Sequence, residues 1–236
     1  MRYRPATEIV MVDSAVDEDD TAAGFSGRHF NASSMPIYQT ATFKQNSATQ
    51  MGEFDYSRSG NPTRSYVENH LAKIMSARKA FVVTSGMSAL DVITRLVACH
   101  QEVIAGDDLY GGTNRLLTYM SQTNKVVVHH VDTTHVPAIL PCLNERTAMV
   151  LLETPTNPLI KIADIRAICN EVHRLAPQAL VVVDNTMMSP YLQRPLELGA
   201  DIVYHSGTKY LSGHHDLMAG VIGVAREDIA EVIPFL

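Results

Sequence analysis

Lys209 and Asp184 are the two residues whose types and spacing most clearly indicate chemistry. Asp184 ends the apolar run Val181–Val183, and Lys209 follows the next apolar run, Ile202–Val203. A lysine amine forms an imine with an aldehyde, and a carboxylate beside a pyridine nitrogen keeps that nitrogen protonated. Either residue alone has an ordinary explanation, a turn cap for the aspartate and a surface position for the lysine. Together they predict a site for pyridoxal 5'-phosphate, whose ring acts as an electron sink.

A phosphate clamp is predicted on both sides of this pair. The segment Ser85-Gly86-Met87-Ser88 lies between a predicted strand and a predicted helix. Backbone N–H groups at a helix N-terminus bind phosphate, and glycine lets the anion approach closely. Most turns of this kind are only turns, but Ser206 and Thr208 flank the lysine and add hydroxyl donors. The segment 85–88, together with Ser206 and Thr208, is therefore a candidate phosphate site.

Two further loops carry an aromatic residue beside polar neighbours. Tyr56 and Arg58 lie in the loop Asp55–Pro62, and Tyr110 lies in the turn Gly106–Gly112. A guanidinium fork with a phenol can bind phosphate, and a tyrosine ring can stack on a flat cofactor. The alternatives are an ordinary exposed loop and a core or surface tyrosine.

A cluster of histidines raises the question of a metal site. His205, His214, His215 and Asp216 lie close together in the sequence. Adjacent side chains point in different directions, and the sequence has no pair of histidines four apart on a helix with a nearby acid. We therefore expect no metal here, and local hydrogen bonding in a glycine-turned loop instead.

Strands and helices alternate from about residue 60, and they must position these groups. The strands are apolar on both faces, which predicts a three-layer α/β/α fold with a mostly parallel, mixed sheet. Asn61 and Pro62 begin the first helix of this part. We expect residues 1–55 to form an irregular arm with an acidic patch at Asp17–Asp20, and residues 56–236 to form the cofactor-binding large domain. The predicted strands are 80–84, 102–105, 125–128, 148–152, 180–183, 202–204 and 221–224, and no clear element is predicted after the last of them.

The composition excludes several classes of protein. The chain has 236 residues, is 46% hydrophobic and 19% charged, and can build a packed core. Its net charge of −6 and lack of a basic run disfavour nucleic acid and anionic membranes as partners. No apolar stretch reaches the roughly 18 residues of a membrane span, and the N-terminus lacks a signal or transit peptide. Cys99, Cys142 and Cys169 are odd in number and widely spaced, which predicts a reducing compartment, the cytoplasm.

Six motifs along the chain are specific in their residues and their order. They are Tyr56-Ser-Arg-Ser-Gly-Asn-Pro-Thr63, Thr84-Ser-Gly-Met-Ser-Ala89, Asp108-Leu-Tyr-Gly-Gly112, Glu153-Thr-Pro-Thr-Asn-Pro158, Val183-Asp-Asn-Thr186 and Ser206-Gly-Thr-Lys-Tyr-Leu-Ser-Gly-His214. With these motifs the chain, from about residue 35, resembles the Cys/Met-metabolism family of pyridoxal phosphate enzymes, which have the fold type I architecture. The motifs occur in the family's order, which makes the resemblance strong.

The resemblance implies a role for each matching position. Lys209 would hold the cofactor and move the Cα proton, Asp184 would pair with the pyridine nitrogen, and Tyr110 would stack on the ring and assist proton transfer. Asn157 would bind the ring hydroxyl. Gly86, Met87, Ser206 and Thr208 would hold the phosphate, while Tyr56 and Arg58 would reach the phosphate of a neighbouring subunit in a homo-oligomer, a dimer of dimers. The implied reaction is β-elimination from L-cystathionine, giving homocysteine, pyruvate and ammonia in methionine biosynthesis.

Family members are longer than this chain, and the resemblance covers only their first part. It implies a further, smaller C-terminal domain that carries the ligand of the substrate carboxylate. We therefore expect these residues alone to have little or no activity and to self-associate. Two alternatives stay open: the γ-lyase or γ-synthase reactions of the same family, and a non-catalytic, truncated subunit that binds a full-length partner.

Overall fold

A computed structural model describes residues 4–10 and 34–236. The chain divides into two compact units, Met1–Ile74 and Met75–Leu236. The predicted acidic patch at Asp17–Asp20 lies outside the described residues. The prediction of an irregular arm is wrong at one place, because Pro5–Val10 forms a short helix, α1. Proline is well suited to the first position of a helix, which accounts for its start.

In the described part of the first unit, residues 34–61 are irregular up to the next helix, α2 (Pro62–Met75). They include an antiparallel bridge between Thr42 and Tyr56. The predicted start of α2 is confirmed. The side chain of Asn61 accepts a hydrogen bond from the backbone N–H of Thr63 at 2.9 Å, as an N-terminal cap does.

Within the described residues, the second unit is built on a seven-stranded mixed sheet with the order β1-β7-β6-β5-β4-β2-β3. β7 runs antiparallel to both of its neighbours, and the other pairs are parallel. The predicted mixed, mostly parallel sheet is therefore confirmed. The strands are β1 (Lys79–Val83), β2 (Glu102–Gly106), β3 (Val127–Val131), β4 (Thr147–Glu153), β5 (Leu180–Asp184), β6 (Ile202–Ser206) and β7 (Gly220–Val224).

Helices pack on both faces of this sheet, because successive strand side chains are buried on opposite sides. On β4, Met149 and Leu151 belong to one apolar cluster, and Val150 and Leu152 belong to the other. The helices of this unit are α3 (Gly86–Thr94), α4 (Gly111–Asn124), α5 (Val136–Ile139), α6 (Ile165–Leu175), α7 (Ser189–Leu192) and α8 (Glu227–Val232). The first cluster contains residues of α3, α4 and α8, and the second contains residues of α5 and α6. Short 3-10 turns span Leu140–Cys142, Pro195–Leu198 and Ile233–Phe235.

Two predicted details are wrong. β3 begins at Val127 rather than Lys125, because Lys125 has φ 57° and ends α4 in the left-handed conformation. The segment after β7 is not without structure, because Glu227–Val232 forms α8. Its Ile229 and Ala230 are buried against the sheet, which gives this short helix its stability. No helix in the described part of the chain is both long and apolar enough to cross a bilayer.

The sheet brings the carboxyl ends of several strands to one edge. β1, β2, β4, β5 and β6 all run in the same direction, so the residues that follow them meet there. Ligands of open α/β sheets bind in the crevice at this edge.

Candidate active site

A cavity of about 1160 Å³ opens at this edge, and all its lining residues belong to the second unit. It holds eight of the ten residues that the sequence predicted for cofactor binding or catalysis. These are Gly86, Met87, Tyr110, Asn157, Asp184, Ser206, Thr208 and Lys209. The structure therefore gathers the predicted groups in one place, while the individual roles remain predictions.

Lys209 lies in a turn directly after β6. Its backbone N–H donates to the carbonyl of Ser206 at 3.1 Å, and its own carbonyl accepts from Gly213 at 3.0 Å. The preceding residue is tied to the start of β7, because the Thr208 hydroxyl accepts from the Ala219 N–H at 3.1 Å. These bonds fix the backbone from which the lysine amine enters the cavity.

Asp184 ends β5 with its carboxylate buried against the cavity wall. Its Oδ1 accepts from the Thr186 N–H at 2.9 Å. Burial raises the pKa of the Asp184 carboxyl, while hydrogen bonds from Thr186 and Tyr204 act in the opposite direction. A cationic group next to such a carboxylate favours its ionised form. The site is thus suited to a protonated ring nitrogen.

The start of α3 forms a close-fitting cradle against β6. Ser85 caps the helix, and its side chain accepts from the Ser88 N–H at 3.0 Å. A Cβ at Gly86 would lie 2.8 Å from the Cβ of Ser206, so only glycine fits this approach. The first N–H groups of a helix have no intrahelical partner and attract anions. With the hydroxyl of Ser206 beside them, they form a donor set that suits a phosphate.

Tyr110 and Asn157 lie on two different loops at the cavity. A Cβ at Gly112 would lie 2.5 Å from the Tyr110 ring and 2.8 Å from the sulfur of Met87, so the ring packs over this glycine. The carboxylate of Glu153, the last residue of β4, accepts hydrogen bonds from both loops. Its Oε2 accepts from the Tyr110 N–H at 2.8 Å, and its Oε1 accepts from the Asn157 N–H at 2.9 Å.

Glu153 is an unusual carboxyl group. Burial, together with the negative charges of Asp184 and Asp108, raises the pKa of Glu153 to about 7, against the opposing effect of the two backbone hydrogen bonds. Burial likewise raises the pKa of Tyr204, which lies beside Asp184 in the register of β5 and β6. The cavity is therefore lined by acidic groups whose ionised forms a nearby cation would stabilise.

Tyr56 and Arg58 belong to the first unit, where the guanidinium carbon of Arg58 lies 5.1 Å from the centre of the Tyr56 ring. Their predicted contact with a neighbouring subunit stays a prediction.

The histidines take other positions than a metal site requires. His205 is buried, burial lowers its pKa to about 3, and neither ring nitrogen has a hydrogen-bond partner among the described residues. His214 and His215 line the cavity mouth, and Nδ1 of His214 lies 3.2 Å from the Ser212 carbonyl. Among the described residues, no three histidine, cysteine or acidic side chains form a group that could hold a metal.

Glu153, Thr186 and Tyr204 are among the cavity-lining residues to which sequence reasoning gave no role. Glu153 and Thr186 lie in motifs that carried the family resemblance, but no role was given to either. Glu153 ends its strand as Asp184 ends the next one, and this parallel was the available signal. Tyr204 gave no signal, because an aromatic residue within an apolar strand is usually part of the core.

Comparisons with known proteins identify the family to which this chain is similar. The family described as "Cys/Met metabolism PLP-dependent enzyme" matches residues 21–236. Cystathionine beta-lyase of Neurospora crassa is 56% identical over 99% of this chain and 49% of its own length. Cystathionine beta-lyase of Schizosaccharomyces pombe is 50% identical over 99% of this chain and 57% of its own length. The chain thus spans about half the length of these curated relatives.

Solved structures share the fold. The crystal structure of metB from Corynebacterium glutamicum has a TM-score of 0.89 at 32% identity, covering 99% of this chain and 58% of that one. Cystathionine gamma-lyase from Lactobacillus plantarum, complexed with L-serine, has a TM-score of 0.87 at 35% identity, with the same coverage. These matches confirm the predicted fold type.

Proposed function

Because this chain belongs to the Cys/Met metabolism family of pyridoxal phosphate-dependent enzymes, we propose that it forms the cofactor-binding part of a carbon–sulfur lyase. The reaction is β-elimination from L-cystathionine, which gives homocysteine, pyruvate and ammonia. The observation that carries the proposal is the single cavity that Lys209, Asp184 and the Gly86 cradle share. The choice of substrate follows the relatives of 50–56% identity, which are cystathionine beta-lyases.

The residues of the cavity fit pyridoxal phosphate. Its phosphate would lie at the start of α3, with the N–H groups of Gly86 and Met87 and the hydroxyls of Ser206 and Thr208 around it. Its pyridine nitrogen would pair with Asp184. These groups, which line one cavity, would satisfy the negative charge of the phosphate and the positive charge of the ring nitrogen.

Two residues, Lys209 and Tyr110, would take part in proton transfer. When bound, pyridoxal phosphate supplies an electron sink that makes the Cα proton of an amino acid acidic. Lys209 would hold the cofactor's aldehyde through its amine and would then take the Cα proton as a general base. Tyr110 would stack on the ring and assist the proton transfer that lets the thiolate leave, and Asn157 would bind the ring hydroxyl. Asp184 would keep the ring nitrogen protonated throughout.

We further propose a homo-oligomer, a dimer of dimers, in which Tyr56 and Arg58 reach the phosphate of a neighbouring subunit. A guanidinium beside a phenol suits a phosphate, and the Arg58 guanidinium already lies over the Tyr56 ring. We also propose that the protein works in the cytoplasm in methionine biosynthesis, since Cys99, Cys142 and Cys169 are free thiols.

The test grafts this chain into a relative, because the chain spans only part of the relatives' length. The matching part of the Neurospora crassa enzyme is replaced by these residues, and the graft is supplied with pyridoxal phosphate and L-cystathionine. We expect pyruvate and homocysteine, and no product from the matched Lys209→Ala graft. Release of 2-oxobutyrate and cysteine would assign γ-elimination instead. A folded graft that binds the cofactor but releases neither keto acid would contradict the proposal.

A further inference from the structure

Glu153 stands beside Asp184 at the edge of the sheet. It ends β4, Asp184 ends β5, and the two residues are paired in the register of these parallel strands. Side chains at paired positions lie on the same face of a sheet, and both of these line the cavity. Glu153 therefore occupies the active-site wall rather than the outer surface.

The two oxygens of Glu153 bind two separate loops. Oε2 accepts from the N–H of Tyr110, which begins the loop-to-helix turn at α4, and Oε1 accepts from the N–H of Asn157, after β4. The distances are 2.8 Å and 2.9 Å, both within the ordinary range for a charged acceptor. One carboxylate thus fixes the backbone at the two residues that would contact the cofactor ring.

Holding the two loops together does not by itself require Glu153. Asp108, outside the cavity lining, already joins them, since its Oδ2 accepts from the Thr156 hydroxyl and from the Leu159 N–H. Lys161 adds an ion pair to Asp107 at 2.8 Å. Placing a further carboxylate in the cavity wall beside other acids is costly, and a tether between the loops alone does not account for it, because Asp108 already supplies one.

We propose that Glu153 is a positioning residue, which fixes the backbone of Tyr110 and Asn157 so that both side chains face the ring of the bound cofactor. The importance of Glu153 for catalysis rests on the proposed function, whereas its two hydrogen bonds are observed in the structure. The charged and titratable groups around it are Asp184 on β5, Tyr204 on β6, Asp108 on the neighbouring loop and Lys209 in the same cavity.

The first test measures amide hydrogen exchange by NMR in the full chain without cofactor. In Glu153→Ala, the amides of Tyr110 and Asn157 should exchange at least about tenfold faster at pH 8, where Glu153 is ionised, because each loses its hydrogen bond to this carboxylate. In Glu153→Gln, one amide should stay protected and the other should not, since the glutamine oxygen accepts and its NH₂ group cannot. Glu171→Gln, which removes a carboxylate on α6, should change neither. Unchanged exchange of both amides in either Glu153 variant would overturn the proposal.

The second test asks whether Glu153 acts through the two residues that it holds. Affinity for pyridoxal phosphate is measured in a double-mutant cycle. We expect Glu153→Ala to weaken binding about tenfold in the wild-type background, and less than about twofold when Tyr110 and Asn157 are already alanine. An equal loss in both backgrounds would show a general structural effect and would overturn the proposal. If the wild-type chain binds no cofactor, the proposed function fails, and the exchange measurement still decides the role of Glu153.

Discussion

Replacing Glu153 with glutamine should change how the stability of the chain depends on pH. The glutamate is a buried acid whose pKa is raised from the ordinary 4.5 to about 7, chiefly by burial. Glutamine has nearly the same shape and carries no charge at any pH. The comparison therefore isolates the ionisation of one side chain.

The sign follows from the direction of the pKa change. Below pH 4.5 Glu153 is protonated in both the folded and the unfolded chain and adds no pH dependence. Between pH 4.5 and 7 the unfolded chain ionises first, so the folded state loses stability as the pH rises. Above pH 7 Glu153 is ionised in both states, and the folded chain keeps the full loss of stability. At 1.36 kcal/mol per pKa unit, a rise from 4.5 to about 7 corresponds to about 3.4 kcal/mol, and solvent screening of this partly exposed side chain reduces the loss to about 2–3 kcal/mol.

The assay is urea unfolding of the chain without cofactor, followed by circular dichroism at pH 5 and pH 8. The free energy of unfolding of wild type, minus that of Glu153→Gln, should fall by about 2 kcal/mol between these pH values. The hydrogen bond that the glutamine cannot make changes the free energy of unfolding by the same amount at pH 5 and pH 8. It therefore cancels when the two pH values are compared. Glu171→Gln should follow wild type. The same pH dependence in wild type and Glu153→Gln would refute the assignment of Glu153 as a buried group with a raised pKa.

Three further variants test other parts of the site. Gly86→Ala should destabilise the chain by about 1–3 kcal/mol in urea unfolding, because its Cβ would lie 2.8 Å from that of Ser206; an unchanged midpoint would contradict the close packing. Asp184→Asn in the graft should lower the rate of pyruvate release by the equivalent of about 2–4 kcal/mol, and unchanged turnover would disprove the pairing with the ring nitrogen. Tyr204→Phe should raise the pKa of the Asp184 carboxyl in a ¹³C NMR titration, since it removes a hydrogen bond that favours the ionised form. A constant pKa would remove Tyr204 from the site.

The sheet could be predicted from the sequence because its strands are short apolar runs between turns. The boundaries were less certain, since they depend on single backbone conformations. Lys125 is part of a run that is typical of a strand, but its left-handed conformation ends α4 instead. α8 could not be predicted, because it is only six residues long and gains its stability from burial of Ile229 and Ala230.

Residues of the cavity could be predicted where the chemistry requires a residue type that is uncommon at such a position. Lysine after a buried strand and glycine at a helix start each have an ordinary explanation alone, but their combination with Asp184 indicates a cofactor site. Glu153 was not predicted, because its function depends on partners that are distant in sequence, the N–H group of Tyr110 above all. Backbone donors leave no trace in the residue types, so only the fold reveals that two loops share one carboxylate.

The central claim is that this chain holds pyridoxal phosphate through Lys209. The direct measurement incubates the folded chain with pyridoxal phosphate, fixes the cofactor to its lysine with borohydride, and maps the modified peptide by mass spectrometry. The account predicts the pyridoxyl group on Lys209, and its loss in Lys209→Ala with no transfer to another lysine. Labelling of a different lysine in the wild-type chain, or no labelling at all, would contradict it.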